Sequence, residues 1–254
     1  MKKRSGDTTK IPGDYQYRAL TRGNPVQRFW HYSKQLAIQR YLPPVSGEQI
    51  LDVGCGSGVI TSFLGESGAS VLGIDASEDA IAFASQEFSA PNVRFERRLV
   101  DDLVGLDHLS FDKIYCLELI EHIYRNQTRE LFQQFRTLVK PGGKVFVTTP
   151  NYRSLWPLIE WSMDTARLAP QMSEHQHVEF LNARKLQDTG LECGLEIVDS
   201  ASMCFIAPWL APLSWRLAEK VDALEGRLPF HMGSILIGVF AKKEAGCGHG
   251  LTSA

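Results

Sequence analysis

Three groups of residues have the types and spacing that chemistry needs. The first is Leu51-Asp52-Val53-Gly54-Cys55-Gly56-Ser57-Gly58-Val59-Ile60-Thr61, which follows a strand-like run and opens a helix-like one. Glycines there let the chain turn tightly and let a ligand approach the backbone, where a side chain would collide. A helix beginning near Ser57 points free N–H groups and a positive dipole end into the same crevice. Asp75, at the end of the next strand-like run, can accept two hydrogen bonds from ribose hydroxyls. Asp52 stands two residues before Gly54, where a carboxylate repels a pyrophosphate and suits a ligand with a cationic amine, directly or through water.

The second group is Glu118, Glu121 and His122. One helical turn after a strand would set both carboxylates on one side with the imidazole beside them. In one reading the three bind a hard divalent ion such as Mg²⁺, which lowers the pKa of an acceptor hydroxyl. In another, Glu121 or His122 is itself the general base. In a third, the acids only complement a helix start and His122 is packed. The third group, His175 and His177, precedes a helical pattern from Ala183; neutral imidazole with carboxylates would hold Zn²⁺ or Fe²⁺ more strongly than Mg²⁺.

Positioning these residues requires an alternation of short apolar runs and helical patterns, the signature of a parallel sheet wound with helices. Strands are expected at 49–53, 70–75, 93–96, 111–117 and 144–149, with later ones at 195–199 and 235–241. Helices are expected at about 58–67, 77–88, 126–139 and 183–192. Pro141-Gly142-Gly143 reads as a breaker that turns the chain into the fifth strand. Residues 1–47 form an N-terminal arm with cap helices. Residues 48–243 form the sheet domain, with a lid-like loop at 150–182 and an insertion at 201–233 before the last strand, and 244–254 read as a disordered tail. The architecture is α/β, a doubly wound, mostly parallel seven-stranded sheet.

Composition narrows the classes. With 44% hydrophobic residues the chain is globular, not disordered. Lys plus Arg (27) nearly cancel Asp plus Glu (29), which argues against a DNA coat and against the basic groove an RNA enzyme needs. No apolar run reaches the ~18 residues of a membrane span, and no apolar stretch follows the first basic residues as in a signal peptide. Five scattered cysteines without a CxxC pair suggest reduced thiols, hence a cytoplasmic location.

The order Leu51–Gly58, Asp75, Phe111–Leu117 and Pro141-Gly142-Gly143 resembles the class I S-adenosylmethionine-dependent methyltransferases over roughly residues 28–200. Cys116-Leu117-Glu118-Leu119-Ile120-Glu121-His122-Ile123 resembles the ubiquinone-biosynthesis O-methyltransferases in particular. The resemblance implies a Rossmann-like transferase in which Gly54, Cys55 and Gly56 lie against the methionine part and Asp75 holds the ribose. It also implies that Ala76 and Val100 border the adenine, with Asp101 and Asp102 as competitors for its amino group. Leu117 offers backbone contact near the methionine, and Lys34 stands where those enzymes hold the carboxylate with a basic residue. Both those enzymes and the small-RNA 2′-O-methyltransferases, with their similar Glu-x-x-Glu-His-His run, are metal-dependent and complete the site with a histidine just before the sixth helix. That implies a divalent site of Glu118, Glu121, His122 and either His175 or His177, with His177 favoured; Ile123 replaces the second histidine of the RNA enzymes.

The surroundings point to a small or lipid-like acceptor. The segment 149–182 is rich in Tyr152, Trp156, Leu158, Ile159, Trp161 and Met163, and 205–215 leads into a helix with Leu217, Val221, Leu224 and Leu228 at helical spacing. These residues cover the sheet, form a homodimer surface, line an apolar acceptor pocket or make peripheral contact with a membrane. Glu219, Asp222 and Glu225 on that helix argue against an anionic membrane. Tyr15, Tyr17, Arg18, Arg28, Trp30 and His31 form an aromatic-basic stretch of which some members could close over the cofactor. The expected activity is O-methylation of a quinone- or phenol-type acceptor with divalent-metal assistance, Glu121, His122 and His177 being catalytic. The rivals are ribose 2′-O-methylation of RNA and a non-catalytic cofactor-binding scaffold.

Overall fold

The computed structural model describes residues 12–103, 105–108, 110–154, 178–228 and 230–242. Helices α1 (Tyr15–Arg22) and α2 (Pro25–Tyr41) precede the sheet. Pro25 at the first turn of α2 gives up no needed N–H, and Asn24 caps it by accepting from Gln27 N–H at 2.9 Å. Then follow β1 (Gln49–Val53), α3 (Val59–Gly65), β2 (Ser70–Asp75), α4 (Glu78–Phe88), β3 (Val93–Arg97) and β4 (Phe111–Leu117). A single 3₁₀ turn, Ile120–His122, leads to α5 (Arg125–Leu138), β5 (Val139–Pro150), α6 (Ala183–Glu192) and β6 (Leu195–Met203). The described residues end with α7 (Ala207–Leu210), α8 (Trp215–Glu225) and β7 (Ile235–Lys242).

The seven strands run in the order β3-β2-β1-β4-β5-β7-β6. Neighbours are parallel from β3 to β5, and β7 is antiparallel to both β5 and β6. Near-continuous apolar runs such as Ile50–Val53 are what a strand covered on both faces requires. One face packs Leu51, Val53, Ile114 and Val145 against Leu131, Phe132 and Phe135 of α5 and Leu186 of α6. The other packs Ile50, Val71, Tyr115 and Phe146 against Ala37 and Ile38 of α2 and Leu64 of α3. Each such fully buried side chain contributes about 1.5–3 kcal/mol, so the two layers hold the strand ends in place.

Two expectations change. Pro141-Gly142-Gly143 does not precede β5 but lies inside it. The β4–β5 register shifts between Phe111 and Lys113, and Gly142 takes φ +76°. A bulge absorbs the residues that have no ladder partner, so the strand continues instead of breaking. The three acids of α8 do not face outward. Glu219 accepts from the Tyr32 hydroxyl, and Asp222 pairs with Arg40 at 2.8 Å. Glu225 accepts the N–H groups of Phe205, Ile206 and Ala207 at 2.7–3.1 Å, capping the approach to α7. Their charge therefore argues nothing about the outer surface of that helix. Residues 155–177 of the expected lid-like loop and those from 243, which include the expected tail, lie outside the described residues.

Candidate active site

The strand order makes one crevice. The chain leaves β1 toward β2 on one side and comes back at β4 on the other, so the carboxyl ends of β1 and β4 bound an opening at the switch in strand order. Past β1, Gly54 takes φ +76°, and the N–H groups of Gly54 and Cys55 both donate to the Ile74 carbonyl, at 2.8 and 3.0 Å. Gly58, at φ +81°, starts α3; a Cβ there would stand 2.8 Å from Ala84 Cβ and 2.9 Å from the Phe95 ring. The third glycine therefore serves helix packing, while Gly56, at φ +51°, lets the Gln16 side chain approach: a Cβ there would stand 2.6 Å from Gln16 Oε1.

Asp75 braces this loop. Its Oδ2 accepts from Gly56 N–H at 2.9 Å and its Oδ1 from Ser77 N–H at 2.8 Å. Each oxygen keeps a further acceptor position, which suits a pair of vicinal hydroxyls. The N-terminal helices complete the enclosure. Tyr17 N–H donates to Ser57 Oγ at 3.1 Å, Gln16 Oε1 accepts from Ser57 N–H at 3.3 Å, and Tyr17 packs on Phe83 and Phe88 of α4. The crevice between these elements is lined by the anticipated Lys34, Asp52, Gly54, Cys55 and Leu117. Gln16, His31, Val59 and Ile60 line it too. His31 had been grouped with the aromatic-basic arm. Gln16 carried no signal, because its role depends on how α1 crosses the glycine loop.

The charges in the crevice are few and buried. Asp52 is 2% exposed and accepts from Thr61 Oγ1 at 2.7 Å. Burial, with the nearby Asp75 charge, pushes its pKa up to about 7. Lys34, 5% exposed, is ion-paired with Glu118, a non-glycine residue held at φ +52° just past β4. Such a conformation persists only where surrounding structure enforces it, and it clusters at functional sites. Burial and the Lys34 charge hold His31 well below the usual imidazole range, so it stays neutral. Glu121 is 1% exposed, accepts from Thr149 Oγ1 at 3.2 Å, and is pushed up to about 8 by burial and by the Glu118 charge.

A buried carboxylate, a buried ammonium, an acid braced for a diol and a glycine cradle fit a cofactor that carries an amine, a carboxylate and a ribose. S-adenosylmethionine has all three. The anticipated metal set fits less well. No group of three His, Cys, Asp or Glu residues among the described residues could hold an ion. Glu118 is neutralised by Lys34, and Glu121 is held toward its protonated form, so neither is a free anionic donor. His175 and His177 lie outside the described residues. The adenine-side expectations are not gathered at the crevice. Ala76 follows Asp75 and gives its carbonyl to Arg97 Nε, while Val100 packs on the core and gives its carbonyl to Gln134 Nε2. Asp101 and Asp102 are exposed.

Fold and crevice together define a nucleotide-crevice transferase, and comparison with known proteins places it. The chain belongs to the methyltransferase-domain family, which residues 26–200 match, and it is an S-adenosylmethionine-dependent methyltransferase. It is similar to the ubiquinone biosynthesis O-methyltransferase of Albidiferax ferrireducens, 34% identical over 54% of this chain and 51% of that relative, so that alignment spans about half the relative's length. The enzyme of the same name from Acinetobacter baylyi is 28% identical over 78% of this chain and 82% of the relative. In fold the chain resembles the S-adenosylmethionine-dependent methyltransferases of Mesorhizobium loti (TM-score 0.60, 23% identity, 82% of this chain and 97% of that one) and Archaeoglobus fulgidus (TM-score 0.62, 19% identity, 90% and 99%).

Proposed function

We propose that this methyltransferase alkylates a hydroxyl oxygen on a small, largely apolar acceptor of phenol or quinol type. The observation that carries the reading is Glu121, a fully buried carboxyl placed by the turn after β4 beside the cofactor crevice, with a pKa near 8. An acid tuned that close to neutrality is matched to taking a proton from a hydroxyl as the bond forms. The names of the ubiquinone-type relatives support oxygen as the target.

The chain's own residues divide the work. Asp52 attracts the cofactor's amine, Lys34 its carboxylate and Asp75 its ribose, and together they fix where the reactive methyl sits. The bound cofactor supplies an electrophilic methyl on a positively charged sulfonium. Leu117, Val59 and Ile60 line the crevice with hydrocarbon and keep water out. A sulfonium loses its charge as the methyl leaves, so a dry wall favours the transition state. The acceptor oxygen gains the methyl and its proton passes to Glu121 in its ionised form, whose share grows as pH rises toward 8. His122, the next residue, is the second candidate for that proton. Positioning supplies much of the acceleration, because in-line attack tolerates little misalignment. Since Glu118 is paired with Lys34, no step is routed through a divalent ion.

The purified chain incubated with S-adenosylmethionine and a short-tailed catechol should give the O-methyl product by mass spectrometry. Glu121→Gln should slow it about 10²–10⁴-fold while cofactor binding, read by calorimetry, is retained. Methylation of a nitrogen acceptor in preference to the catechol, or an unchanged rate in Glu121→Gln, overturns the reading.

A further inference from the structure

Helix α8 has two faces of opposite character. Its inner face is closed: Ala218, Trp215 and Val221 pack with Phe29, Tyr32 and Leu36 of α2, and its three acids are bonded inward to Tyr32, Arg40 and the backbone before α7. The outer stripe, at intervals of three and four residues, is apolar and basic. Leu213 is 80% exposed, and Leu217, Leu224 and Leu228 are 44, 62 and 46% exposed. Between them stand Arg216, Lys220 and Arg227, all exposed and without an ion pair among the described residues. Trp209, on the preceding helix α7, is 47% exposed. No acid of α8 shares this face, although the chain as a whole carries a formal charge of −2.

We propose that this stripe rests on an anionic lipid surface. A helix with leucines on one face, interleaved with long basic side chains, lies in the interfacial plane: the apolar groups enter the acyl boundary while the cations reach phosphate. The stripe is the convex back of one helix and not a groove, so it offers a partner protein no concavity to fill. Two copies of this chain meeting through it about a twofold axis would bring two clusters of three cations together with no acid between them, which is repulsive. A leaflet rich in anionic headgroups is complementary in both charge and polarity.

The location adds a consequence. Phe29, Tyr32 and Leu36 face α7 and α8, while His31 and Lys34 on the opposite side of α2 line the cofactor crevice. The stripe faces away from α2, so α8 and α2 together, roughly two helix diameters or about 20 Å, stand between the lipid-facing surface and the crevice. An acceptor dissolved in the leaflet would travel that distance to reach it. The surface proposal itself does not depend on the acceptor's identity.

Vesicle co-sedimentation tests it with the full chain. Phosphatidylcholine vesicles containing phosphatidylglycerol should bind the protein and phosphatidylcholine alone should not, with binding falling as salt rises. Neutralising the cations together (Arg216→Gln, Lys220→Gln, Arg227→Gln) should weaken partition about 100-fold, roughly fivefold per charge, and Leu217→Ser with Leu224→Ser should remove what is left. Methylation of a soluble catechol and thermal melting should be unchanged in these variants, which separates failure of the surface from failure of the methyl-transfer reading. Equal binding to neutral and anionic vesicles, insensitivity to the triple substitution, or no vesicle binding overturns the proposal. So does a dimer in light scattering that Leu217→Ser disperses without any vesicle binding, or capture of an acidic protein in place of lipid.

Discussion

Asp52 and Glu121 are acids that the folded chain holds nearer their neutral form than water would, and each has a measurable signature. An ionised Asp52 attracts the cofactor's amine, whereas the protonated form does not. With its pKa near 7 in the empty crevice, affinity for S-adenosylmethionine should climb from pH 6 to pH 8, with a proton released on binding near neutrality. Calorimetry across that range in two buffers of different ionisation enthalpy reads both effects. Asp52→Asn should flatten the pH dependence and weaken binding at pH 8 by about tenfold or more, the scale of a lost charge-assisted contact. A flat profile in the unsubstituted protein would mean that the amine is held by something other than this carboxylate.

At the scale of elements, α1 works as a latch across the glycine loop. Its hold on that loop is a pair of hydrogen-bonding residues, Gln16 and Tyr17, on Ser57, together with the Tyr17 ring on Phe83 and Phe88. None of these contacts belongs to the sheet. Gln16→Ala should therefore leave the melting temperature nearly unchanged while raising the cofactor dissociation constant about 2–10-fold, one hydrogen bond's worth. Gly58→Ala should behave in the opposite way. A side chain there needs φ +81° and meets Ala84 and the Phe95 ring, so stability should fall by about 1–3 kcal/mol whether or not cofactor is present. Denaturant titration of the two variants distinguishes a latch residue from a packing residue.

For the molecule as a whole, the buried acids set how stability follows pH. The folded chain binds the Glu121 proton at a pKa near 8, against an ordinary value of 4.5. The native state thus holds that proton more tightly than the unfolded chain, and the stabilisation is present below the ordinary value and lost as pH rises through about 8. Asp52 acts in the same direction between 3.8 and about 7. The cofactor-free protein should accordingly lose stability from pH 5 to pH 9. Glu121→Gln, which keeps the shape and removes the charge, should recover about 3 kcal/mol of that loss at pH 9. Urea unfolding of both proteins at pH 5, 7 and 9 checks it; parallel curves would show that Glu121 is ionised in the fold without penalty.

What the amino-acid sequence determined by itself was whatever is local or periodic. The apolar runs and the helix patterns between them dictate a wound parallel sheet, and the glycines after β1 with Asp75 at the end of β2 mark the crevice, because turn geometry and strand-end placement depend on near neighbours. The partner of Lys34 was not legible: Glu118 lies 84 positions along the chain, and only the packing of α2 against the end of β4 brings the two together. The same holds for Gln16 at the loop and for the inward turn of Glu219, Asp222 and Glu225. Helical spacing shows which residues share a face, but whether that face meets α2 or the solvent is decided by the tertiary arrangement, through burial that no local pattern encodes.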